Sequence, residues 1–123
     1  MSGYSITSKD FDFIGFNTQI EEFGRKHRVS QRTIYNIQAY IEEMCMQIVL
    51  PQMQDGFEML VTIEYSEEKD DADVVIRYNG VDFDPTKTDN ELSLLLAKRA
   101  TETMDYSYNP EENLGNRIDA KIH

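Results

Sequence analysis

The segment AYIEEMCMQI, residues 39–48, places two adjacent carboxylates, Glu42 and Glu43, inside an otherwise apolar stretch. Steps of three and four residues keep side chains on one helix face, which predicts a polar stripe of Asn36, Tyr40, Glu43 and Gln47. The stripe is a candidate functional face. The alternative is that this stripe simply meets water.

Other groups that could hold a metal ion lack suitable neighbours. His27 and His123 are far apart in the sequence, with no further His or Cys at ligand spacing, which disfavours a zinc site. The acidic run EEKDDAD, residues 67–73, lacks the glycine and the ligand spacing of a calcium loop, so we expect a solvated hairpin turn. Cys45 is the only cysteine and has apolar neighbours, which indicates a small core residue in a reducing setting.

The composition bounds the class of protein. The chain has 123 residues, 40% of them hydrophobic, and a formal net charge of -11, which predicts one domain, residues 1–123, with its own core. Phosphate binding needs clustered Lys and Arg, so the charge argues against a nucleic-acid partner. The sequence has neither an apolar run of about 20 residues nor a leader-like beginning. We therefore expect no membrane association and a cytoplasmic location.

The first half of the chain shows one strand and two helices. GYSITSKDF, residues 3–11, alternates like a short strand at a sheet edge. An amphipathic helix follows, ending near GRKHRV, with an apolar stripe of Phe13, Phe16, Ile20 and Phe23. A longer helix is expected between Ser30, as N-cap, and Pro51, with an apolar stripe of Ile34, Ile37, Ile41, Met44, Cys45 and Ile48.

The second half predicts two hairpins and a third helix between them. FEMLVTIEYS and VVIRYNG alternate and predict an antiparallel hairpin. Thr88 and Glu91 have the spacing of a capping box before the helical segment ELSLLLAKRATETM, in which an apolar stripe starts: Leu92, Leu95 and Leu96. A terminal hairpin follows, whose strands carry Tyr106 and Tyr108, then Ile118, Ala120 and Ile122. The predicted fold is α+β, a two-layer sandwich with three helices on one face of a mixed, mostly antiparallel sheet.

Two segments resemble the anti-sigma-factor serine kinase branch of the histidine-kinase-like ATPases. In EEMCMQI, Glu43 matches a family Glu, and Gln47 stands where the family has an Asn four residues later. In ELSLLLAKRATETM, Leu94 matches the Leu of a family Gly-x-Gly-Leu motif, while Glu91 and Ser93 replace its two glycines. The resemblance extends over nearly the whole chain in the order of its elements.

A third segment, VVIRYNGVDFDPTK, carries the most specific part of the resemblance. Gly80, Phe83, Asp84 and Pro85 match a family strand and loop in which an Asp precedes the glycine by two residues. Tyr78 occupies the position of that Asp. The resemblance implies a Bergerat-type ATPase fold that binds Mg-ATP between its helices and a lid. Family members often dimerise and bind sigma factors, so a homodimer and a sigma-factor-like or antagonist-like protein partner are expected.

In the family the Glu acts as a base, the Asn binds magnesium, the Asp recognises adenine, and the glycines let the backbone approach the phosphates. The replacements alter each of these roles except that of the base. Gln47 is one methylene longer than Asn, and Tyr78 would fill the pocket for adenine. Glu91 and Ser93 add side chains, one of them negative, where triphosphate would lie.

The leading interpretation is therefore a regulatory protein-binding module, similar to anti-sigma factors, whose ATP site is non-functional or weakened and holds no cofactor. The alternative is an active ATP-dependent serine/threonine kinase of an antagonist-like partner, with Glu43 as base and Gln47 on Mg²⁺; it would bind Mg-ATP or ADP. A second alternative is a scaffold domain of a larger protein.

Overall fold

The sheet has five strands in the order β1-β2-β3-β5-β4, and each pair of neighbours is antiparallel. The computed structural model describes residues 3–8, by their backbone alone, and residues 13–52 and 56–123. The strands are β1 (Gly3–Ser8), β2 (Met59–Ser66), β3 (Asp71–Tyr78), β4 (Thr103–Tyr108) and β5 (Asn116–Ile122). The expected edge strand is confirmed as β1.

The helices are α1 (Phe13–Lys26), α2 (Gln31–Ile41) and α3 (Glu91–Arg99), and the α+β two-layer architecture is confirmed. The expectation of a mixed sheet is wrong for the described strands, because every pair of hydrogen-bonded neighbours runs antiparallel. Two helices separate β1 from β2 and leave them antiparallel. A single helix separates β3 from β4, which run in the same direction but are separated by β5.

The core lies between the helices and one face of the sheet. Alternate residues of the central strands are fully buried, among them Ile63, Val74, Ile76, Ile118 and Ile122. The predicted apolar stripes of α1 and of the long helix face this layer, with Phe23 only half-buried. None of the described helices is long and apolar enough to cross a membrane.

The long helix has the predicted start but a different second half. Ser30 caps α2, since its Oγ accepts a hydrogen bond from the Thr33 backbone N–H at 3.2 Å. From Glu42 to Val49 the helix is π-helical, and a short 3₁₀ turn, Leu50–Gln52, ends it. The Leu50 N–H bonds the carbonyl of Cys45, five residues back, which is the bond that defines this wider helix.

The polar stripe predicted on that helix does not simply meet water. Tyr40 is completely buried, Asn36 and Glu43 are half-buried, and only Gln47 is exposed. Glu43 is bonded to Ser93 of α3, which packs against the π-helical segment, and Asn36 Nδ2 donates to the His123 carbonyl at 2.8 Å. Both the alternative of a solvated face and the expectation that Tyr40 belongs to a polar surface are therefore wrong.

The third helix begins by a different cap from the one predicted. Asn90 Oδ1 accepts from the Ser93 N–H at 3.2 Å, and Thr88 Oγ1 accepts from the Asn90 N–H at 3.1 Å. Glu91 is the exposed first residue of the helix. The predicted Thr88–Glu91 capping box is thus wrong, because Asn90 lies nearer to the helix and supplies the acceptor.

The packing face of α3 also differs from the prediction. Three of its four leucines lie outside: Leu92 is 67% exposed, Leu95 46% and Leu96 38%. The face turned to the core carries the small residues Ser93, Ala97 and Ala100, beside the half-buried Leu94. Small side chains let the backbone of α3 lie close to the π-helical segment. The helix is also shorter than predicted, since β4 begins at Thr103.

Candidate functional site

Glu43 and Ser93 meet across the interface between the π-helical segment and α3. Ser93 Oγ donates a hydrogen bond to Glu43 Oε1 at 2.9 Å, although 50 residues separate the two in the sequence. Ser93 is buried, and its backbone N–H is held by the Asn90 cap. The neighbouring Leu94 is half-buried against the core. The Glu43 carboxylate is therefore already bonded to a side chain of α3.

Gln47 lies one turn further along the same segment. Its side chain is exposed, while its backbone carbonyl accepts a hydrogen bond from Asn90 Nδ2 at 3.4 Å. Asn90 thus ties the beginning of α3 to the π-helical segment at a second point. Within residues 13–52 and 56–123, no three His, Cys, Asp or Glu side chains come together in a way that could hold a metal ion.

Tyr78 and Phe83 form the second part of the site, at the end of β3. The Tyr78 side chain is completely buried, and its hydroxyl donates to the Phe83 carbonyl at 2.6 Å. Burial is the main cause that raises the pKa of Tyr78, and the nearby Tyr106 and Asp84 raise it further. The phenol therefore stays protonated at neutral pH and holds the loop after β3 against the sheet.

Asn116 completes this attachment from β5. It is completely buried; its Nδ2 donates to the carbonyl of Val81 at 3.0 Å, and its Oδ1 accepts from the Phe83 N–H at 3.0 Å. A buried amide bonded to backbone on a neighbouring segment fixes the path of that segment. Residues 81–83 are consequently fastened to the inner face of the sheet.

Tyr106 and Asp82 extend the same network toward solvent. The Tyr106 hydroxyl lies within hydrogen-bond distance of both Asp82 Oδ1 and Asn116 Oδ1. Burial, followed by the hydrogen bond with Asp82, raises the pKa of Tyr106. This phenol also remains a donor at neutral pH, so the network keeps its pattern of donors and acceptors.

Gly80 and Asp84 have local structural roles. Gly80 has φ +101°, a left-handed conformation that glycine adopts readily, and it is exposed in the turn after β3. Asp84 Oδ1 accepts from the Thr86 N–H at 2.9 Å and from Thr86 Oγ1 at 2.6 Å. The carboxylate thereby caps the 3₁₀ turn Pro85–Lys87.

The predicted site residues thus fall into two bonded groups. One joins Glu43 to Ser93 beside Gln47, and the other joins Tyr78 to Phe83 beside Asp84. The 3₁₀ turn after Asp84 packs next to the π-helical segment, which brings the two groups to the same side of the molecule.

Asn90, Tyr106 and Asn116 were not predicted as part of the site. The sequence did contain a signal for Asn116, because it shares the inward register of Ile118, Ala120 and Ile122. A polar residue at an inward strand position needs a partner. Asn90 carries an N-cap signal, since it stands directly before the helix, whereas nothing in the sequence pattern marks Tyr106.

Comparison with protein-family models gives no match for this chain, and comparison with curated proteins gives no significant match. The likeness to histidine-kinase-like ATPases accordingly rests on the motifs quoted above, and what it implies belongs to the proposal below.

Proposed function

We propose that this protein is a regulatory protein-binding module of the Bergerat-type, histidine-kinase-like ATPase fold, similar to anti-sigma factors, with a nucleotide site that is non-functional or weakened. The observation that carries the proposal is the hydrogen bond between Ser93 and Glu43. It joins the candidate base to a side chain at the position where the family's glycine would let backbone approach phosphate.

The phosphate side of the site supports this proposal. Ser93 is buried and fills space beside Glu43, and Glu91 adds a negative charge to the first turn of α3. The beginning of a helix favours anions, because its backbone N–H groups point outward. Two carboxylates at this point oppose that preference, and a triphosphate would have to displace the existing bond.

The adenine side supports it as well. An adenine amino group needs an acceptor such as a carboxylate, whereas Tyr78 presents a buried phenol whose proton is donated to Phe83. In the neighbouring Asn116, both the amide oxygen and the amide nitrogen are hydrogen-bonded to backbone groups. No free acceptor faces the expected base position from these residues.

The outer face of α3 supports a protein partner. Three leucines lie exposed at helical spacing: Leu92, Leu95 and Leu96. Exposed apolar side chains that cluster, rather than occur singly, mark interaction surfaces. A sigma-factor-like or antagonist-like protein is the partner that the family resemblance suggests. The same face would also suit a scaffold domain of a larger protein.

The second candidate function is an ATP-dependent serine/threonine kinase that acts on an antagonist-like partner. The observation in its favour is that Glu43 is only half-buried while Gln47, on the same segment, is exposed. Glu43 would then act as base and Gln47 would bind Mg²⁺. In that case Glu43→Gln abolishes phosphate transfer to the partner without weakening its binding.

Thermal unfolding with Mg²⁺ and millimolar ATP or ADP separates the two functions. A ligand present at about 100 times its Kd adds about 2.7 kcal/mol to the free energy of unfolding, which raises Tm by several degrees. We expect no shift for this protein. A magnesium-dependent rise in Tm would contradict the closed site and favour the kinase.

A further inference from the structure

A groove of about 510 Å³ runs between α1 and α2 on the outside of the helical layer. Its floor is apolar and consists of Gly24, Val29 and Ile34, which are all buried. The ring of Tyr35, 70% exposed, stands at its side. We call this surface the α1–α2 groove. It shares no residue with the Glu43 site.

Two guanidinium groups lie at the edge of the groove. Arg25, in the last turn of α1, and Arg28, just after it, are both exposed and both line the groove. Neither makes an ion pair or a side-chain hydrogen bond with the residues that the structure describes. The only acid in the lining is Glu21, which accepts a hydrogen bond from Gln38 Nε2 at 3.3 Å.

The charge around the groove contrasts with the rest of the chain. The protein has 23 acidic residues among 123 and a net charge of -11, yet none of the residues from Phe23 to Ile41 is acidic. The same stretch contains Arg25, Lys26, Arg28 and Arg32. Screening by salt limits the reach of distant carboxylates to about 10 Å, so the charges close to the groove are these cations together with Glu21 and Glu22 of α1.

Arg28 occupies a backbone position that does not favour arginine. Its φ is +55°, in the left-handed region, and the Val29 N–H bonds the carbonyl of Gly24 around it. This is the bond pattern of a helix end at which glycine is the preferred residue. The helix dipole accounts for Arg25 in the last turn, but it does not account for an arginine in this strained place. Neither the helix dipole nor the preference for glycine explains an arginine here, so its side chain is a candidate binding group.

We propose that the α1–α2 groove binds an acidic protein segment in which Asp or Glu flanks an aliphatic or aromatic side chain. Arg25 and Arg28 bind its carboxylates by paired N–H donors, a geometry that suits guanidinium groups. The apolar side chain lies on Val29 and Ile34, against the ring of Tyr35. Binding at this groove does not depend on whether the nucleotide site is closed, because the groove shares no residue with the Glu43 site.

The test begins with short random-sequence peptides displayed as a library and selected on the immobilised full chain. We expect the selected sequences to be rich in Asp and Glu next to Leu, Ile or Phe. The selected peptide, labelled with fluorescein, is then titrated with wild type and with variants by anisotropy. Arg25→Ala and Arg28→Gly each weaken binding by about tenfold or more, because each removes a charge-assisted hydrogen-bond pair. Binding also weakens as salt is raised.

The stability of the two variants distinguishes binding from folding. Arg28→Gly relieves the left-handed strain and raises Tm by about 3 °C, while Arg25→Ala leaves Tm unchanged or lowers it slightly. Weaker binding by a more stable variant cannot arise from unfolding. The matched control is Arg99→Ala, which removes an exposed arginine outside the groove and leaves binding unchanged. The proposal is overturned if selection yields no binders, if the binders lack acidic residues, or if Arg28→Gly binds as tightly as wild type.

Discussion

Tyr40 carries a buried hydroxyl that lacks a hydrogen-bond partner among the described residues. Its side chain is completely buried. Burial, followed by the proximity of Cys45 and Tyr78, raises its pKa. An unpaired buried hydroxyl destabilises a fold, since it gives up its bonds to water.

Tyr40→Phe should therefore stabilise the protein by about 1 kcal/mol, because it removes only the unpaired hydroxyl. Urea unfolding of both proteins measures the change. Tyr35→Phe is the control, since the Tyr35 side chain is 70% exposed and its hydroxyl can reach water. A loss of stability in Tyr40→Phe would show that the hydroxyl has a partner.

Asn116 holds residues 81–83 to the sheet through both ends of its amide. Asn116→Ala removes the hydrogen bonds to two part-buried backbone groups and should lower the free energy of unfolding by about 1–3 kcal/mol. Chemical denaturation measures this loss, with Asn113→Ala, an exposed position in the β4–β5 turn, as control. Equal stability of the two variants would contradict the role of Asn116.

Asp70 makes stability depend on acid pH. Partial burial alone would raise its pKa, but hydrogen bonds from Tyr65 and Ser30 more than offset this, and the pKa of Asp70 is lowered. A lowered folded-state pKa gives stability that is present above the unfolded value of about 3.9 and is lost as pH falls through the folded value. Asp70 has φ +49°, which Asn also tolerates, so Asp70→Asn isolates the charge.

The difference in stability between wild type and Asp70→Asn should be largest at neutral pH and should shrink toward about pH 3. Urea unfolding over this range measures it. Glu68→Gln, an exposed acid in the same turn, should show no such trend. A difference that does not change with pH would exclude an effect of the Asp70 charge.

At the scale of elements, the orientation of α3 is the main departure from the sequence pattern. Leu92→Gln should change the free energy of unfolding by less than about 0.5 kcal/mol, because Leu92 is 67% exposed. Ile37→Ala, in the core of α2, should lower it by about 2–5 kcal/mol. Denaturant unfolding compares the two. A large loss of stability in Leu92→Gln would instead indicate that Leu92 faces the core, as the sequence pattern predicts.

Most elements could be predicted because their local signals agree with their packing. The Ser30 cap, the stripe from Ile34 to Ile48 and the alternation of β2 and β3 each indicate the structure that is observed. Two features could not be predicted. A π-helical segment differs from an α-helix by one residue in its hydrogen bonds, and residue pattern alone does not reveal it.

The face of α3 could not be predicted because two stripes compete at the same helical period. The leucines form one stripe, and Ser93, Ala97 and Ala100 form the other. Close approach to the π-helical segment selects the small residues, which is a tertiary effect. The contact between Glu43 and Ser93 depends on that orientation, so the residue pattern does not reveal that the two side chains are bonded.

At the scale of the whole molecule, the protein has one internally hydrogen-bonded site and two exposed surfaces. The proposed nucleotide site is occupied by its own hydrogen bonds, while the outer face of α3 and the α1–α2 groove remain open to partners. Four of the twelve Lys and Arg residues lie between Phe23 and Ile41, a stretch without acidic residues, which gives the groove a distinct charge. This division is consistent with the binding module that we propose.

The most direct test of the proposed closed site is calorimetric titration of Mg-ATP into the wild-type protein. We predict no saturable heat for wild type at millimolar nucleotide, because the bond between Ser93 and Glu43 occupies the phosphate side. Saturable, magnesium-dependent binding to wild type, with a Kd below about 1 mM, would contradict the proposed function.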